Sequence, residues 1–366
     1  MLLYRYSNRN SCPLLLSGSF SLLVTLSACS PIPFPEPPTS KDVASIKKHS
    51  SKARPAPGEN WAIPPAELSK ALASELRLRK MTAIGSGVTK PYEVNVYVPT
   101  HGEEIRFKFK AVPPGTADDL NNSPRKEIVA DLIQEWFLDP DDYVVPMSFV
   151  RCVPIERMRT LEPKAQPNIP GTRCLLANAA VWMENVTFPE EGWIPSPFCT
   201  PIVYDKTRFL NDANYAYHLS NMNLLTYLIK HRDGRCGNFM ISKDLSNQRV
   251  FSIDNGISFD NFWYRNYGAA NWESIFVPAF RKEAIDRLRK LTREDLARLA
   301  VAVELQADEQ GILKHVAPGP NMDPSKGARV ASGRVQLGLT QSEIDGLEQR
   351  LKDLLYEIDQ GHIALF

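Results

Sequence analysis

The sequence predicts an α+β fold with two lobes, a small β-rich lobe over residues 61–186 and a mainly helical lobe over residues 187–366. With 366 residues, the chain is long enough for a large core and for two lobes. Alternating apolar and polar residues over 92–98 and 104–112 predict strands in the first lobe. Apolar residues at helical spacing over 211–229 predict a long buried helix in the second lobe.

Further elements follow from the same patterns in the first lobe. The predicted helices and strands are helix 64–80, helix 123–137, strand 147–153 and strand 174–186. Ser123 before Pro124 is typical of a helix start. The basic residues at 77–80 are expected at the solvated end of the first helix. The stretch 182–185 ends the last strand, which is the natural position for a hinge between two lobes.

The second lobe is predicted to continue as helices after a segment rich in aromatic residues. These helices cover 282–291, 292–306 and 340–356, the last two opening on capping patterns at Thr292 and Thr340. Residues 314–334 are rich in Gly and Pro and predict a loop.

The strongest motif of the chain lies at residues 231–238, with the letters HRDGRCGN, and is followed by Asp254-Asn255-Gly256. Between them, residues 238–242 and 249–253 predict two short strands joined by a turn. Such a hairpin would bring Asn238 and Asp254 side by side at one site. The alternative is a solvated loop Asp and a turn Asn, both common on protein surfaces.

Residues 231–238 match the catalytic-loop pattern H-R-D-x-x-x-x-N of protein kinases in every fixed position. The Asp-x-Gly at 254–256 stands where kinases place D-F-G. The resemblance implies that Asp233 accepts the proton of a hydroxyl acceptor. It also implies that Asn238 and Asp254 hold Mg²⁺ or Mn²⁺ beside the phosphates of ATP.

The same resemblance assigns two nucleotide-binding segments. Gly85 and Gly87, in a Gly-x-Gly before a strand, are similar to the loop that covers ATP phosphates, although Lys90 stands in place of a third glycine. An ordinary hairpin turn is the alternative. The adenine is expected to lie against the hinge at Met183 and Glu184.

Kinases also need a strand lysine, and here the strand 104–112 offers more than one. Its period of two puts Arg106, Lys108 and Lys110 on one face. Either Lys108 or Lys110 could contact ATP, with Lys108 preferred; an exposed cationic face is the alternative. Glu127, in the first turn of the helix 123–137, would hold that lysine, or would only stabilise the helix start.

The chain from about 84 to 280 therefore resembles a kinase-fold phosphotransferase. It lacks the Phe of D-F-G, an A-P-E triplet and a full glycine loop, and is more similar to the phosphoinositide-kinase, actin-fragmin-kinase, bacterial toxin-type and secreted Golgi kinases. The resemblance implies ATP or another nucleotide triphosphate, Mg²⁺ or Mn²⁺, and a protein, lipid or small-molecule hydroxyl acceptor. The alternatives are a nucleotidyltransferase, a pseudokinase binding module, and a structural lipoprotein without a nucleotide site.

The N-terminus predicts export from the cytoplasm. Residues 1–28 have the basic start, short apolar core and small final residues of a signal peptide. The letters LSAC at 26–29 resemble the lipobox of bacterial lipoproteins, which implies lipidation of Cys29 and membrane anchoring in the cell envelope, facing periplasm or exterior. An ordinary secreted signal is the alternative. Residues 29–60 are rich in Pro and predict an extended tether.

Charge and cysteines set further limits. The net charge of +1 shows no nucleic-acid footprint, so no nucleic-acid partner is expected. The cysteines after residue 100 show no C-x-x-C and no paired His spacing, so a zinc site is not expected. In an oxidising compartment Cys152–Cys174 is the first expected disulfide and Cys199–Cys236 the second, with free buried thiols as the alternative.

Overall fold

An α+β architecture is present in the part of the chain that the computed structural model describes, residues 39–50, 59–73, 76–84, 91–113, 123–188, 205–234, 236–259 and 272–366. All of these residues fall within one compact unit of the chain. None of the described helices has both the length and the apolar character needed to cross a bilayer. Cys29, Gly85 and Gly87 lie outside the described residues.

The regular elements are numbered in chain order. The described helices are α1 (Ser40–Ser50), α2 (Pro65–Ala73), α3 (Pro124–Glu135), α4 (Ile155–Arg159), α5 (Lys206–Asn211), α6 (Ala213–Leu228), α7 (Lys282–Leu288), α8 (Arg293–Ala297) and α9 (Gln341–Asp359). The described strands are β1 (Arg77–Ala83), β2 (Tyr92–Val98), β3 (Glu103–Ala111), β4 (Ser148–Pro154), β5 (Cys174–Val181), β6 (Val186–Thr187), β7 (Phe239–Ser242), β8 (Val250–Ser252), β9 (Ala279–Phe280), β10 (Val303–Ala307), β11 (Leu313–Val316), β12 (Ala328–Ala331), β13 (Arg334–Leu337) and β14 (Ala364–Leu365).

The first part of the chain forms an antiparallel sheet in the order β1-β2-β3-β5-β4. The strands predicted over 92–98 and 104–112 are confirmed. In β3 the apolar side chains of Ile105, Phe107 and Phe109 are buried on one face, as the period of two requires. Helix α3 packs against β4 and β5.

The helix predicted over 64–80 is wrong in its second half. Helix α2 ends at Ala73, and β1 begins at Arg77. Strand β1 lies at the edge of the sheet, and only Met81 of its residues is buried. Charged side chains are well suited to an edge strand because they discourage pairing with another chain, so the basic residues at 77–80 serve a strand and not a helix end.

The segment predicted as a tether over 29–60 contains folded structure. Helix α1 packs against α5 and α6, and its Ile46 is buried. The hydroxyl of Ser45 donates a hydrogen bond of 2.9 Å to the backbone oxygen of Leu210. At least residues 40–50 therefore belong to the folded part of the molecule.

Two predictions for the C-terminal part are wrong. Residues 292–306, predicted as one helix, form the short α8, a 3₁₀ turn and strand β10. Residues 314–334, predicted as a loop, contain most of β11, all of β12 and the first residue of β13. That antiparallel sheet has the order β11-β10-β13-β12. The predicted capping pair Thr292–Asp295 is present, but β-pairing with distant strands overrides helix propensity beyond it.

The C-terminal sheet packs against β4 and β5 of the first sheet. Its Leu305, Leu313 and Val335 share an apolar core with Val150 of β4 and Leu176 of β5. The predicted disulfide Cys152–Cys174 is confirmed and joins β4 to β5 beside this core. The second predicted pair cannot be placed, because Cys199 and the side chain of Cys236 lie outside the described part of the structure.

Candidate functional site

The loop 231–238 is positioned by the buried helix α6, which confirms the helix predicted over 211–229. The side chain of Asp212 caps its start by accepting from the backbone N–H of Tyr215. Lys230 ends the helix with a positive φ of 52°. Because most residues of α6 are buried, the loop begins from a fixed point.

His231 anchors the loop inside the protein. It is fully buried, and its ring meets the ring of Trp272 edge-on at 5.7 Å. Its Nδ1 accepts a hydrogen bond of 3.2 Å from the backbone N–H of Asp233. Burial lowers the pKa of His231 to about 4, although the carboxylates of Asp233 and Asp254 favour its charged form. The imidazole is therefore neutral at pH 7.

Asp233 and Asn238 form the next pair. The side-chain amide of Asn238 donates to the Asp233 carboxylate (Oδ2) at 2.6 Å and to its backbone oxygen at 2.8 Å. Both residues are buried. The amide group thereby fixes the orientation of the carboxylate.

The predicted hairpin is confirmed and sets the position of Asp254. Strands β7 and β8 pair with Phe239 opposite Ser252, and the backbone N–H of Ile253 donates to the backbone oxygen of Asn238 at 2.8 Å. Asn238 therefore lies beside the end of β8, immediately before Asp254. Asp254 has a positive φ of 59°, a conformation that few residues other than glycine adopt.

Asp254 meets the cationic face of β3. Lys110 Nζ lies 2.5 Å from Asp254 Oδ1, and Lys108 Nζ lies 3.6 Å from Oδ2. Burial favours the neutral acid at Asp254, but the two ammonium groups, chiefly that of Lys110, outweigh it and hold its pKa well below the usual range. The carboxylate is ionised at every physiological pH.

Lys110 has a second acid partner on α3. Its Nζ lies 2.5 Å from Glu127 Oε1. The other oxygen of this carboxylate accepts a hydrogen bond of 3.2 Å from the side-chain amide of Asn178. Lys110 is only 1 % exposed. Burial alone would lower the pKa of Lys110, yet Glu127 and Asp254 together raise it above its usual value.

The structure thus brings most of the predicted site residues into two linked groups. One group is Glu127–Lys110–Asp254, with Lys108 at its edge, and the other is Asp233–Asn238. Lys108 was the preferred lysine on sequence grounds, whereas the pairing with Glu127 belongs to Lys110. Asn178 was missed, although it stands as one polar residue in the apolar run 174–181.

The predicted hinge is hydrogen-bonded to the segment at Asn60. The backbone N–H of Glu184 donates to the backbone oxygen of Asn60 at 2.9 Å, and the Asn60 side-chain amide donates back to the Glu184 backbone oxygen at 3.1 Å. The Glu184 carboxylate pairs with Arg106 at 2.9 Å. Met183 is buried. The backbone groups of Glu184 are therefore already hydrogen-bonded in this structure.

The donor set fits a hard divalent cation. Carboxylate and amide oxygens are the ligands that Mg²⁺ prefers, and Asp254 and Asn238 supply one of each at neighbouring positions. The described residues contain no cluster of three or more His, Cys, Asp or Glu side chains that could hold a metal by themselves. A separate cavity of about 590 Å³ beside α3, lined in part by Trp136, Arg298 and Asn321, contains none of the predicted site residues.

Comparisons with known proteins add little to this geometry. No protein-family model matches the chain, and no curated protein matches it either. Among solved structures, the chain is similar to the Helicobacter pylori proinflammatory kinase CtkA, with a TM-score of 0.31 and 11 % sequence identity. The alignment covers 79 % of this chain and 95 % of that one. A TM-score of 0.31 is too low to assign the fold.

Proposed function

We propose that this protein is a metal-dependent phosphotransferase with a two-lobed, kinase-like fold that transfers the γ-phosphate of ATP to a hydroxyl acceptor. The observation that carries the proposal is the buried Lys110 between Glu127 and Asp254. A buried lysine held by two acids is costly unless its charge is used or fully compensated. Its location beside the Asp233–Asn238 pair favours use on an anionic substrate.

The residues have separate roles in this proposal. Lys110, kept charged and oriented by Glu127, binds phosphate oxygens. Asp254 and Asn238 hold Mg²⁺ or Mn²⁺, which when bound would neutralise negative charge on the triphosphate. Asp233, oriented by the amide of Asn238, accepts the proton of the attacking hydroxyl. Lys108 lies at the open edge of the group and supplies a second positive charge.

The test is transfer of label by the purified chain. Wild-type protein is incubated with cell-envelope fractions, Mn²⁺ or Mg²⁺, and ATP labelled at the γ-phosphate or, separately, at the α-phosphate. We expect label from the γ-phosphate alone, and none with Asp254→Asn. Asp286→Asn, an identical change at an exposed surface pair, is the matched control. Transfer from the α-phosphate would instead identify a nucleotidyltransferase.

Binding separates an enzyme from a scaffold. ATP with Mn²⁺ should raise the melting temperature of wild-type protein by mass action. A binding module without activity would show the same shift and no transfer, and a structural lipoprotein would show neither. A shift that survives unchanged in Asp254→Asn would contradict the metal assignment.

We also propose that the protein works outside the cytoplasm, anchored through Cys29. The support is the sequence 26–29 and the signal-like segment before it. ATP is expected to be scarce in that compartment, so activity requires either release of the protein toward a host or another cell, or the use of a different phosphate donor. Incorporation of labelled palmitate into wild-type protein but not into Cys29→Ser is the expected result; equal incorporation would exclude this anchor.

A further inference from the structure

The first turn of α3 is unusual because it buries three consecutive charged residues. Arg125 is 4 % exposed, Lys126 is 1 % exposed and Glu127 is 7 % exposed. Buried charges are tolerated only when they are paired and hydrogen-bonded. Glu127 is paired with Lys110 of the site. The partners of the two cations therefore show what holds this end of the helix.

Both cations meet one acid from the other end of the chain. Arg125 forms a fork with Glu343 of α9, with Nη1 2.8 Å from Oε2 and Nη2 3.0 Å from Oε1. Lys126 Nζ lies 3.6 Å from Glu343 Oε1. The same carboxylate accepts the backbone N–H of Thr340 at 2.8 Å and so completes the capping box of α9. Glu343 is thereby fixed by its own helix.

The backbone around Arg125 is shaped to receive the guanidinium. The backbone oxygen of Gly338 accepts a hydrogen bond of 2.9 Å from Nη1. Gly327 lies directly against the guanidinium, and a Cβ there would stand 2.2 Å from the central carbon. Gly327 and Gly338 flank the β12–β13 hairpin and are joined by a hydrogen bond of 2.8 Å. The C-terminal sheet and α9 together form a socket for one side chain of α3.

This socket is linked to the site through the same helix turn. Glu127 follows Arg125 by two residues, and the backbone N–H of Ser123 donates to the backbone oxygen of Gly256 at 3.2 Å, just after Asp254. A change in the axial or rotational position of this turn would move the Glu127 carboxylate relative to Lys110.

We propose that Arg125 and Glu343 are positioning residues for the site, which makes the C-terminal sheet and α9 a required part of it. Through the socket they hold Glu127 where it can orient Lys110. The expected effect on kinetics rests on the proposed function. The expected effect of the Arg125–Glu343 pair on the position of Lys110 does not depend on catalysis.

The first test is a double-mutant cycle on the full chain, with transfer of γ-phosphate as the readout. Glu343→Gln and Glu127→Gln should each lower kcat/KM for ATP by up to about 100-fold, the cost of a small misplacement in a catalytic group. The double variant should be no slower than the slower single variant. Independent effects that multiply would mean that Glu343 acts only on stability, and this would overturn the proposal.

Control variants separate position from stability. Arg289→Met breaks the exposed pair with Asp359 and should leave kcat/KM unchanged. Leu354→Ala weakens the core beneath the same α9 and, at equal loss of melting temperature, should lose less activity than Glu343→Gln. If Glu343→Gln does not fold, Arg125→Lys keeps the charge but loses the fork and takes its place.

A second readout needs no catalysis. The rate at which an amine-acylating reagent modifies Lys110 is measured against exposed Lys290 in the same sample by mass spectrometry. We expect faster modification of Lys110 in Glu343→Gln and in Glu127→Gln, with no further increase in the double variant. If wild-type protein transfers no phosphate but this pattern holds, the proposed function fails and the positioning stands. An unchanged rate in Glu343→Gln overturns the positioning.

Discussion

At the scale of single residues, the two lysines on the cationic face of β3 differ in what their loss would leave behind. Replacing Lys110 by Met leaves the buried Glu127 carboxylate and the half-buried Asp254 carboxylate without their shared cation. We expect the free energy of unfolding to fall by about 3–5 kcal/mol. The side chain of Lys108 is 28 % exposed and lies 3.6 Å from Asp254. Lys108→Met should therefore lower the free energy of unfolding by less than about 1 kcal/mol.

Urea unfolding of both variants and wild type, in the presence of a chelator, measures this difference. The two substitutions are chemically identical and lie two residues apart, so each serves as the control for the other. Equal losses of stability would show that burial does not distinguish the two lysines.

Asp233 permits a substitution that changes basicity with little change of shape. The oxygen of Asn at position 233 can still accept from the Asn238 amide, as the carboxylate does now at 2.6 Å. We therefore expect Asp233→Asn to lower kcat for phosphate transfer by about 10²–10⁴-fold, the range found for a general base. The affinity for ATP, measured by thermal shift, should stay unchanged. Retention of full kcat would remove Asp233 from the proton-accepting role.

His231 should make the fold sensitive to acid. Its pKa of about 4 in the folded protein lies below the ordinary histidine value of 6.5. As the pH falls, His231 is therefore protonated in the unfolded chain before it is protonated in the folded protein. The contribution of the neutral imidazole to the free energy of unfolding is complete above pH 6.5 and is lost as the pH falls toward 4. The linkage amounts to about 3 kcal/mol.

The check compares the pH dependence of the unfolding free energy in wild type and His231→Asn, with chelator present. Asn can still offer an oxygen to the Asp233 N–H, and any constant loss of stability does not affect the slope. The variant should show a shallower slope between pH 6.5 and 4. Parallel curves would show that another group carries the acid sensitivity.

At the scale of elements, the disulfide between β4 and β5 closes a loop with a sequence separation of 22. Constraint of the unfolded chain by a loop of this length stabilises the fold by about 3 kcal/mol. Reduction of wild-type protein should lower the free energy of unfolding by that amount. The double variant Cys152→Ala/Cys174→Ala should start from the lower stability and respond little to reductant. A full response in the double variant would place the effect at other cysteines.

The elements that could be predicted from sequence are those whose contacts are local. The hairpin after Asn238 and helix α6 each carry their own periodicity, and both are confirmed. Helix α3 begins at Pro124 as predicted, although the side chain of Ser123 makes no capping hydrogen bond. The sequence does not show which lysine pairs with Glu127, because Lys108 and Lys110 occupy the same face of β3. The packing of α3 against the sheet, which is a tertiary contact, determines that Glu127 pairs with Lys110.

The elements that could not be predicted depend on distant partners. Strand β10 follows directly after helical residues, and its pairing with β13 overrides the helix that Thr292 begins. The burial of Arg125 is invisible in the local sequence, because its partner Glu343 lies 218 residues away. An acid at the third position of a helix normally serves only as a cap.

At the scale of the whole molecule, one hydrophobic core connects regions that the sequence assigned to separate parts. It contains Ile46 of α1, Trp61 beside the hinge segment, Phe107 of β3, Phe251 of β8 and Leu354 of α9. The ring of Trp61 meets the ring of Phe251 edge-on at 6.4 Å. Phe251 lies only three residues before Asp254. The N-terminal segment and the C-terminal helix therefore contribute to the same packed interior as the candidate site.

A shared core predicts one cooperative unfolding transition for the described part of the chain. Trp61→Ala should cost about 3–5 kcal/mol and Leu354→Ala about 2–5 kcal/mol, because each leaves a cavity in the same interior. Both should shift the same transition. Tyr356→Ala, at a side chain that is 54 % exposed on the same helix as Leu354, should change stability by less than about 0.5 kcal/mol.

The measurement is urea unfolding followed by far-UV circular dichroism and by hydrogen exchange of the β3 and α9 amides. If the core is shared, the curves coincide for each variant and move together, since opening either region exposes the other. Two lobes with separate cores would give the opposite result: Trp61→Ala and Leu354→Ala would each shift a different transition. Because the site draws Lys110 from one sheet and Asp254 from another, a single transition also requires that the site be lost in one step.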